Sequence, residues 1–77
     1  MKIDIHLHGL FRDYLPLEAK GRATLDLPPG STAADLLAHL DIQRRAIVAV
    51  NDAVEVAPDH ILRDGDDVAI FGVSGGG

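Results

Sequence analysis

The sequence predicts a two-layer α+β domain, with one main helix packed across a mixed sheet of four to five strands. Three observations carry this. "KIDIHLH" at the start and "DVAIF" near the end alternate apolar with polar residues, the period of a half-buried strand. Between them, "STAADLLAHL" carries a helix cap and an apolar stripe. Proline-glycine and Asp-Gly turn signals separate the segments.

Taken in order, the first strand places Ile3, Ile5 and Leu7 on one face and Lys2, Asp4, His6 and His8 on the other. A second alternation, "ATLDL", turns Ala23, Leu25 and Leu27 inward and is positioned to pair with the first as a hairpin. The long connection "GLFRDYLPLEAKG" carries Leu10, Phe11, Tyr14 and Leu17, which are expected to fold back onto the core. "PPGST" ends the second strand, because prolines and a glycine do not continue a ladder. Thr32 is then the expected helix N-cap, and Asp35 three residues on completes a capping box and favours the helix dipole.

Ala33, Leu36, Leu37 and Leu40 form the apolar stripe of a helix running through about Leu40. "AIVAVN" follows as a central strand, apolar on both faces until Asn51, where "ND" turns into a brief strand "VEV". "APDHILRDGD" is a connection with an Asp64-Gly65 turn, and "DVAIF" closes the fold with Val68 and Ile70 inward. Strand order is not fixed by these patterns. The whole of 1–77 is expected to form one domain, with 72–77 as a flexible tail.

Composition narrows the function classes. At 77 residues there is room for one core, and 47% hydrophobic against 25% charged residues describes a globular chain. A formal charge of −5 disfavours nucleic acid and anionic membranes, and suggests protein partners with basic surfaces; the arginines look scattered, apart from Arg44-Arg45. The longest aliphatic run, "AIVAV", is too short to span a bilayer, and a cytoplasmic, soluble protein is expected. Cysteine is absent, which excludes disulfides, a thiol nucleophile, a persulfide carrier and thiolate metal sites.

The sequence ends "FGVSGGG". Glycine loses more conformational freedom on ordering than any other residue, so Gly75, Gly76 and Gly77 do not hold a fold together. Taken alone they suit either a frayed end or cloning scar, or a flexible arm whose terminal carboxylate must enter a slot too narrow for any Cβ.

"LDLPPGSTAADLLAHL", then "VNDAVEVAPDHILRDGDDVAIF", then a terminal Gly-Gly resemble the ubiquitin-like MoaD/ThiS sulfur carriers, a group that includes the molybdopterin synthase small subunit and the thiamine-thiazole sulfur carrier. The resemblance spans essentially the whole chain. It implies a β-grasp fold with the first and last strands parallel and central. It also implies that the carboxylate of Gly77 is adenylated with ATP by an activating enzyme similar to ubiquitin's E1, and that a sulfur donor displaces AMP to leave a thiocarboxylate. The partners implied are that adenylyltransferase, a sulfur donor protein, and a large synthase subunit or thiazole synthase. No cofactor is expected to be bound, and the chain is expected to be a protein co-substrate rather than an independent enzyme.

Two departures bear on the pathway. "VSGGG" resembles thiamine-type carriers, whereas the long connection with "FRDYLP" resembles the molybdopterin-type subunit, so the acceptor of the sulfur stays open. The extra glycine leaves either Gly77 or a trimmed Gly76 as the activated end. Gly75, Ser74 and Val73 form the arm that a partner would grip. Phe71 is out of phase with Val68 and Ile70: it either points outward with Val73 as an anchor for a partner, or packs onto the covered edge of the sheet.

His6 and His8 project from one strand face about 7 Å apart, yet two imidazoles without a third ligand make no recognisable zinc site. His39 and His60 read as surface residues. "GVSGGG" lacks the helix of a phosphate cradle. Beside the carrier, two other functions fit: a ubiquitin-like modifier joined to target lysines, and a β-grasp binding module with incidental glycines.

Overall fold

The computed structural model describes residues 1–51 and 55–72, the side chain of Leu17 excepted. Four strands, β1 (Lys2–Leu7), β2 (Arg22–Asp26), β3 (Ala46–Val50) and β4 (Asp67–Gly72), form one sheet in the order β2-β1-β4-β3. β1 and β2 are an antiparallel hairpin, with Ile3 opposite Leu25 and Ile5 opposite Ala23. β1 and β4 run parallel at the centre, as the resemblance implied, with Ile5 beside Val68 and Leu7 beside Ile70. β3 pairs antiparallel with β4.

The helix α1 (Ala33–His39) starts at the predicted cap. The Asp35 backbone N–H donates to Thr32 Oγ1 at 3.2 Å, and the Thr32 N–H donates to the Asp35 carboxylate at 2.9 Å. Two of the orphan donors at the helix start are thereby satisfied. Ala33 and Leu36 are buried, and Leu37 and Leu40 pack half-buried against the core. That core joins Ile3, Ile5 and Leu7 of β1 to Val48 and Val50 of β3 and to Val68 and Ile70 of β4, with Leu27, Ile42 and Leu62 from the connections.

Three expectations need correcting. β3 lies at the end of the strand order rather than at the centre. Its uniform apolarity arises because Val48 and Val50 face the core, while Ala49 is shielded where a single bridge to Glu55 covers the edge. The expected strand "VEV" is thus one bridge at Glu55, supported by the Val56 N–H donating to the Val48 carbonyl at 2.8 Å; Val54 is outside the described residues. The first connection folds as two 3-10 turns, Gly9–Tyr14 and Leu17–Ala19, and sends only part of its apolar set inward. Phe11 is fully buried, but Leu10 is 69% exposed and Tyr14 is exposed at the rim. In a 3-10 turn successive side chains are about 120° apart, so neighbours such as Leu10 and Phe11 do not share a face.

Where the sheet begins its last turn, Asn51 acts as a clasp. Its backbone has φ +55°, a conformation that asparagine tolerates better than most residues. The side chain spans the gap to β4: Nδ2 donates to the buried Asp66 carboxylate at 3.1 Å, and Oδ1 accepts from the Asp67 N–H at 2.9 Å. Asp66 also accepts from the Arg63 N–H at 2.8 Å, which closes the Asp64-Gly65 turn. The "VN" and "DGD" signatures are therefore two halves of one hydrogen-bonded unit.

Candidate functional site

Because β1 and β4 are parallel and adjacent, they end side by side, and the glycine-rich tail leaves from the middle of the sheet rather than from an edge. The backbone beyond β1 is still tied to β4 at this level: the His8 N–H donates to the Ile70 carbonyl at 3.0 Å. Ala46 is paired with Gly72, so the arginines Arg44 and Arg45 approach the same rim.

Among the described residues, the face of the sheet opposite the core is partly exposed there. Phe71 lies on it with Ala69, out of phase with the buried Val68 and Ile70, opposite Ile47 and half-buried. Phe71 is therefore not turned to the core side of the sheet; Val73, expected to point outward with it, lies outside the described residues. Ala69 stands between Ala49 and His6, so Ile47, Ala49, Ala69 and Phe71 make a continuous apolar patch. Two imidazoles close it on the β1 side. The His8 ring centroid is 4.9 Å from that of Phe71 and 4.3 Å from that of His6.

His8 is driven below its ordinary pKa, first by partial removal of water from the ring and then by the positive charge of His6 and Arg12 beside it. A neutral imidazole against a phenyl ring extends the apolar patch, whereas a protonated one would not. No cluster of three metal-ligating side chains occurs among the described residues. His39 and His60 are exposed, as expected.

Charge is segregated along the sheet. At the start of β1, Asp26 pairs with both the Met1 ammonium and Lys2 at 3.3 Å, and Asp4, Asp64, Asp66 and Asp67 gather at the same end. Hydrogen bonds from Lys2 and the N-terminus, with their charges, hold the Asp26 carboxyl below its ordinary pKa. At the tail end stand Arg12, Lys20, Arg22, Arg44 and Arg45, five of the seven lysines and arginines of the chain. Arg12 and Arg22, distant in sequence, are brought together with Lys20 on one hollow, while Arg44 and Arg45 precede β3 at the same end of the sheet. The net charge had suggested basic partners; for this end it carries the wrong sign.

Of the residues singled out from sequence, Phe71 is at the root of the tail, while Val73, Ser74, Gly75, Gly76 and Gly77 lie outside the described residues. Arg12, Lys20 and Arg22 were missed. Their signal was the predicted hairpin itself, which sets Arg22 opposite His6 and folds the intervening connection, with Arg12 and Lys20, over the same end.

Among the described residues no helix is long and apolar enough to cross a membrane. No curated protein sequence matches the chain. Among solved structures, SAMP1 from Haloferax volcanii superposes with a TM-score of 0.75 at 17% identity, covering 100% of both chains. Molybdopterin converting factor subunit 1 from Pyrococcus furiosus gives 0.74 at 23% identity, over 92% of this chain and 95% of that one. Subunit 1 in the complex of subunits 1 and 2 of the molybdopterin-converting factor from Helicobacter pylori gives 0.65 at 17% identity, over 100% of both. The fold shared with these proteins is the ubiquitin-like β-grasp. The ThiS family matches residues 10–77, a span running from the first connection through the glycines, and the chain belongs to the ThiS family of ubiquitin-like sulfur carriers.

Proposed function

We propose that the chain carries sulfur as a thiocarboxylate on Gly77 for the biosynthesis of a sulfur-containing cofactor. The observation that supports this best is that the family match runs through the terminal glycines, which follow in sequence a strand end carrying the half-buried Phe71. In this reading the Gly77 carboxylate attacks the α-phosphorus of ATP on an E1-like adenylyltransferase and releases pyrophosphate. Hydrosulfide released by a donor protein then attacks the acyl carbon, AMP leaves, and the sulfur stays on Gly77 as the thiocarboxylate. Gly76 lets the carboxyl pass through a narrow channel. Phe71 anchors the globular domain on the partner, and Val73, Ser74 and Gly75 are the gripped arm.

The division of labour follows from entropy. Ordering the arm costs roughly 1–2 kcal/mol per residue, and glycines offer few side-chain contacts to offset it. The partly exposed Phe71, Ile47 and Ala69 supply apolar burial next to the arm, so docking and threading are served by adjacent surfaces. The chain then acts as co-substrate of the adenylyltransferase. The Helicobacter pylori complex supports a larger synthase subunit as the receiving partner.

The test is intact mass of the full chain after incubation with ATP, sulfide and the cognate activating enzyme. The mass gain of one sulfur replacing one oxygen, localised to Gly77, is expected. One residue added after Gly77 should block it without lowering stability; an unchanged mass for the native chain, or turnover of an uncleaved extended form, overturns the reading.

A second reading, a protein modifier, is favoured by the likeness to a structure named small archaeal modifier protein 1. Intact mass of labelled target proteins separates the two, since a carrier leaves no remnant on lysine.

A further inference from the structure

At the end of β1 an open cleft of about 480 Å³ is lined by His6, His8, Arg12, Lys20 and Arg22, with no carboxylate in its walls. Acidic groups stand close by: Asp13 lines the adjoining hollow on one side, Asp4 and Asp67 the hollow on the other, and exposed Glu18 precedes Ala19 of the cleft wall. The ion pairs among the described residues are those of the Met1 ammonium and Lys2 with Asp26, so Arg12, Lys20 and Arg22 have no carboxylate partner there. Among the described residues, three fixed cations and two imidazoles thus line one cleft without an ion-pair partner, in a chain of net charge −5. Such a grouping is self-repulsive when empty.

The backbone is bent to build it. Lys20 has φ +55° and Gly21 φ +78°, two successive residues in the left-handed region. A Cβ on Gly21 would stand 2.6 Å from the Leu7 carbonyl oxygen and 3.1 Å from Arg12 Cγ, so the missing side chain is what lets the Arg12 stem lie against the hairpin. Glycine meets that demand without strain, whereas a lysine in the left-handed region is strained, and the turn so formed carries Lys20 to the cleft wall.

We propose that this cleft binds a polyvalent phosphate, either free pyrophosphate or the di- or triphosphate group of a nucleotide. Arginine forks and a lysine ammonium are suited to phosphate oxygens, and several cations in one cleft favour an anion of more than one charge. The site sits beside the exit of the tail, since His8 is hydrogen-bonded to β4 one residue before Phe71. The proposal goes beyond the carrier reading and does not depend on it.

The test uses the full chain, labelled with nitrogen-15 and titrated with pyrophosphate, ATP and AMP at constant ionic strength. Saturable shifts of His6, His8, Arg12, Lys20 and Arg22 are expected with pyrophosphate and ATP, and much weaker ones with AMP. Stronger shifts with ATP than with pyrophosphate would mark a nucleotide as the source of the phosphates. Arg12→Gln and Arg22→Gln should each weaken binding about tenfold. Lys20→Gly separates ligand from fold: it removes the backbone strain, so unfolding resistance should hold or rise while pyrophosphate affinity falls. Linear, unsaturable shifts, shifts reproduced by sodium chloride, or equal affinity for a hexaglutamate peptide would overturn the phosphate assignment. So would a Lys20→Gly variant that binds pyrophosphate as the parent does.

Discussion

The His8 and Phe71 rings lie 4.9 Å apart, centroid to centroid, across the parallel junction of β1 and β4. One ring follows the end of the first strand; the other stands one residue before the end of the last. Their contact puts an aromatic surface at the point where the tail departs.

Phe71 is half-buried, and its loss uncovers little of the core. Phe71→Ala is therefore expected to cost about 1 kcal/mol of stability, well below a core truncation. If it anchors a partner, affinity for the activating enzyme should fall by roughly 2 kcal/mol or more, as at a binding hot spot. Urea denaturation and a binding isotherm on the same protein check the two numbers; a large stability loss with unchanged affinity would make Phe71 a packing residue.

His8 makes stability depend on pH with a defined sign. Its folded-state pKa is below the ordinary 6.5, so in the window between the two the unfolded chain binds the extra proton. Stability is fully present above that window, declines as pH falls through it, and levels off once the folded form also protonates. Denaturation at a series of pH values should show this decline, and His8→Gln should flatten it. The carboxyl of Asp26, with its pKa lowered, acts in the same direction in a separate window, below the ordinary carboxylate value of 3.8.

Asn51 performs two tasks that substitutions can separate. Asn51→Gly keeps the positive φ but removes the side-chain bonds to Asp66 and Asp67, and is expected to cost about 1–3 kcal/mol through the buried carboxylate left short of a donor. Asn51→Ala loses the same bonds and adds left-handed strain of about 1 kcal/mol or more. The order Asn above Gly above Ala in chemical denaturation is the expected result; Ala equal to Gly would mean that the turn relaxes freely.

The parts of the fold visible in the sequence are those governed by local chemistry. Thr32 and Asp35 announced the helix start because a capping box needs only four residues, and the period of two in β1 and β4 is a property of each strand alone. The position of β3 was misread because covering one edge and covering two faces both favour aliphatic residues. For the site, Phe71 was legible from its phase against Val68 and Ile70. The convergence of Arg12, Lys20 and Arg22 was not, because it depends on the path of a connection built from 3-10 turns, in which no single period marks the inward face.

That connection supplies the sharpest contrast in the molecule. Leu10 and Phe11 are consecutive, yet Leu10 is 69% exposed and Phe11 1%. The Phe11 ring closes the end of the core beneath the tail's exit: a Cβ on Gly72 would be 3.7 Å from its Cε2, and Tyr14 covers it with centroids 5.9 Å apart. Phe11→Ala should cost about 3–5 kcal/mol, a large share of the roughly 4–12 kcal/mol available to a chain this small. Phe11→Leu provides a folded variant with a smaller loss, and Leu10→Ala should fall within about 0.5 kcal/mol of the parent. Because Phe11 also supports the end of β4, its leucine variant should speed hydrogen exchange at Ile70 and Gly72 more than at Ile3. Uniform acceleration along both central strands would mean that Phe11 stabilises the domain without singling out the root of the tail.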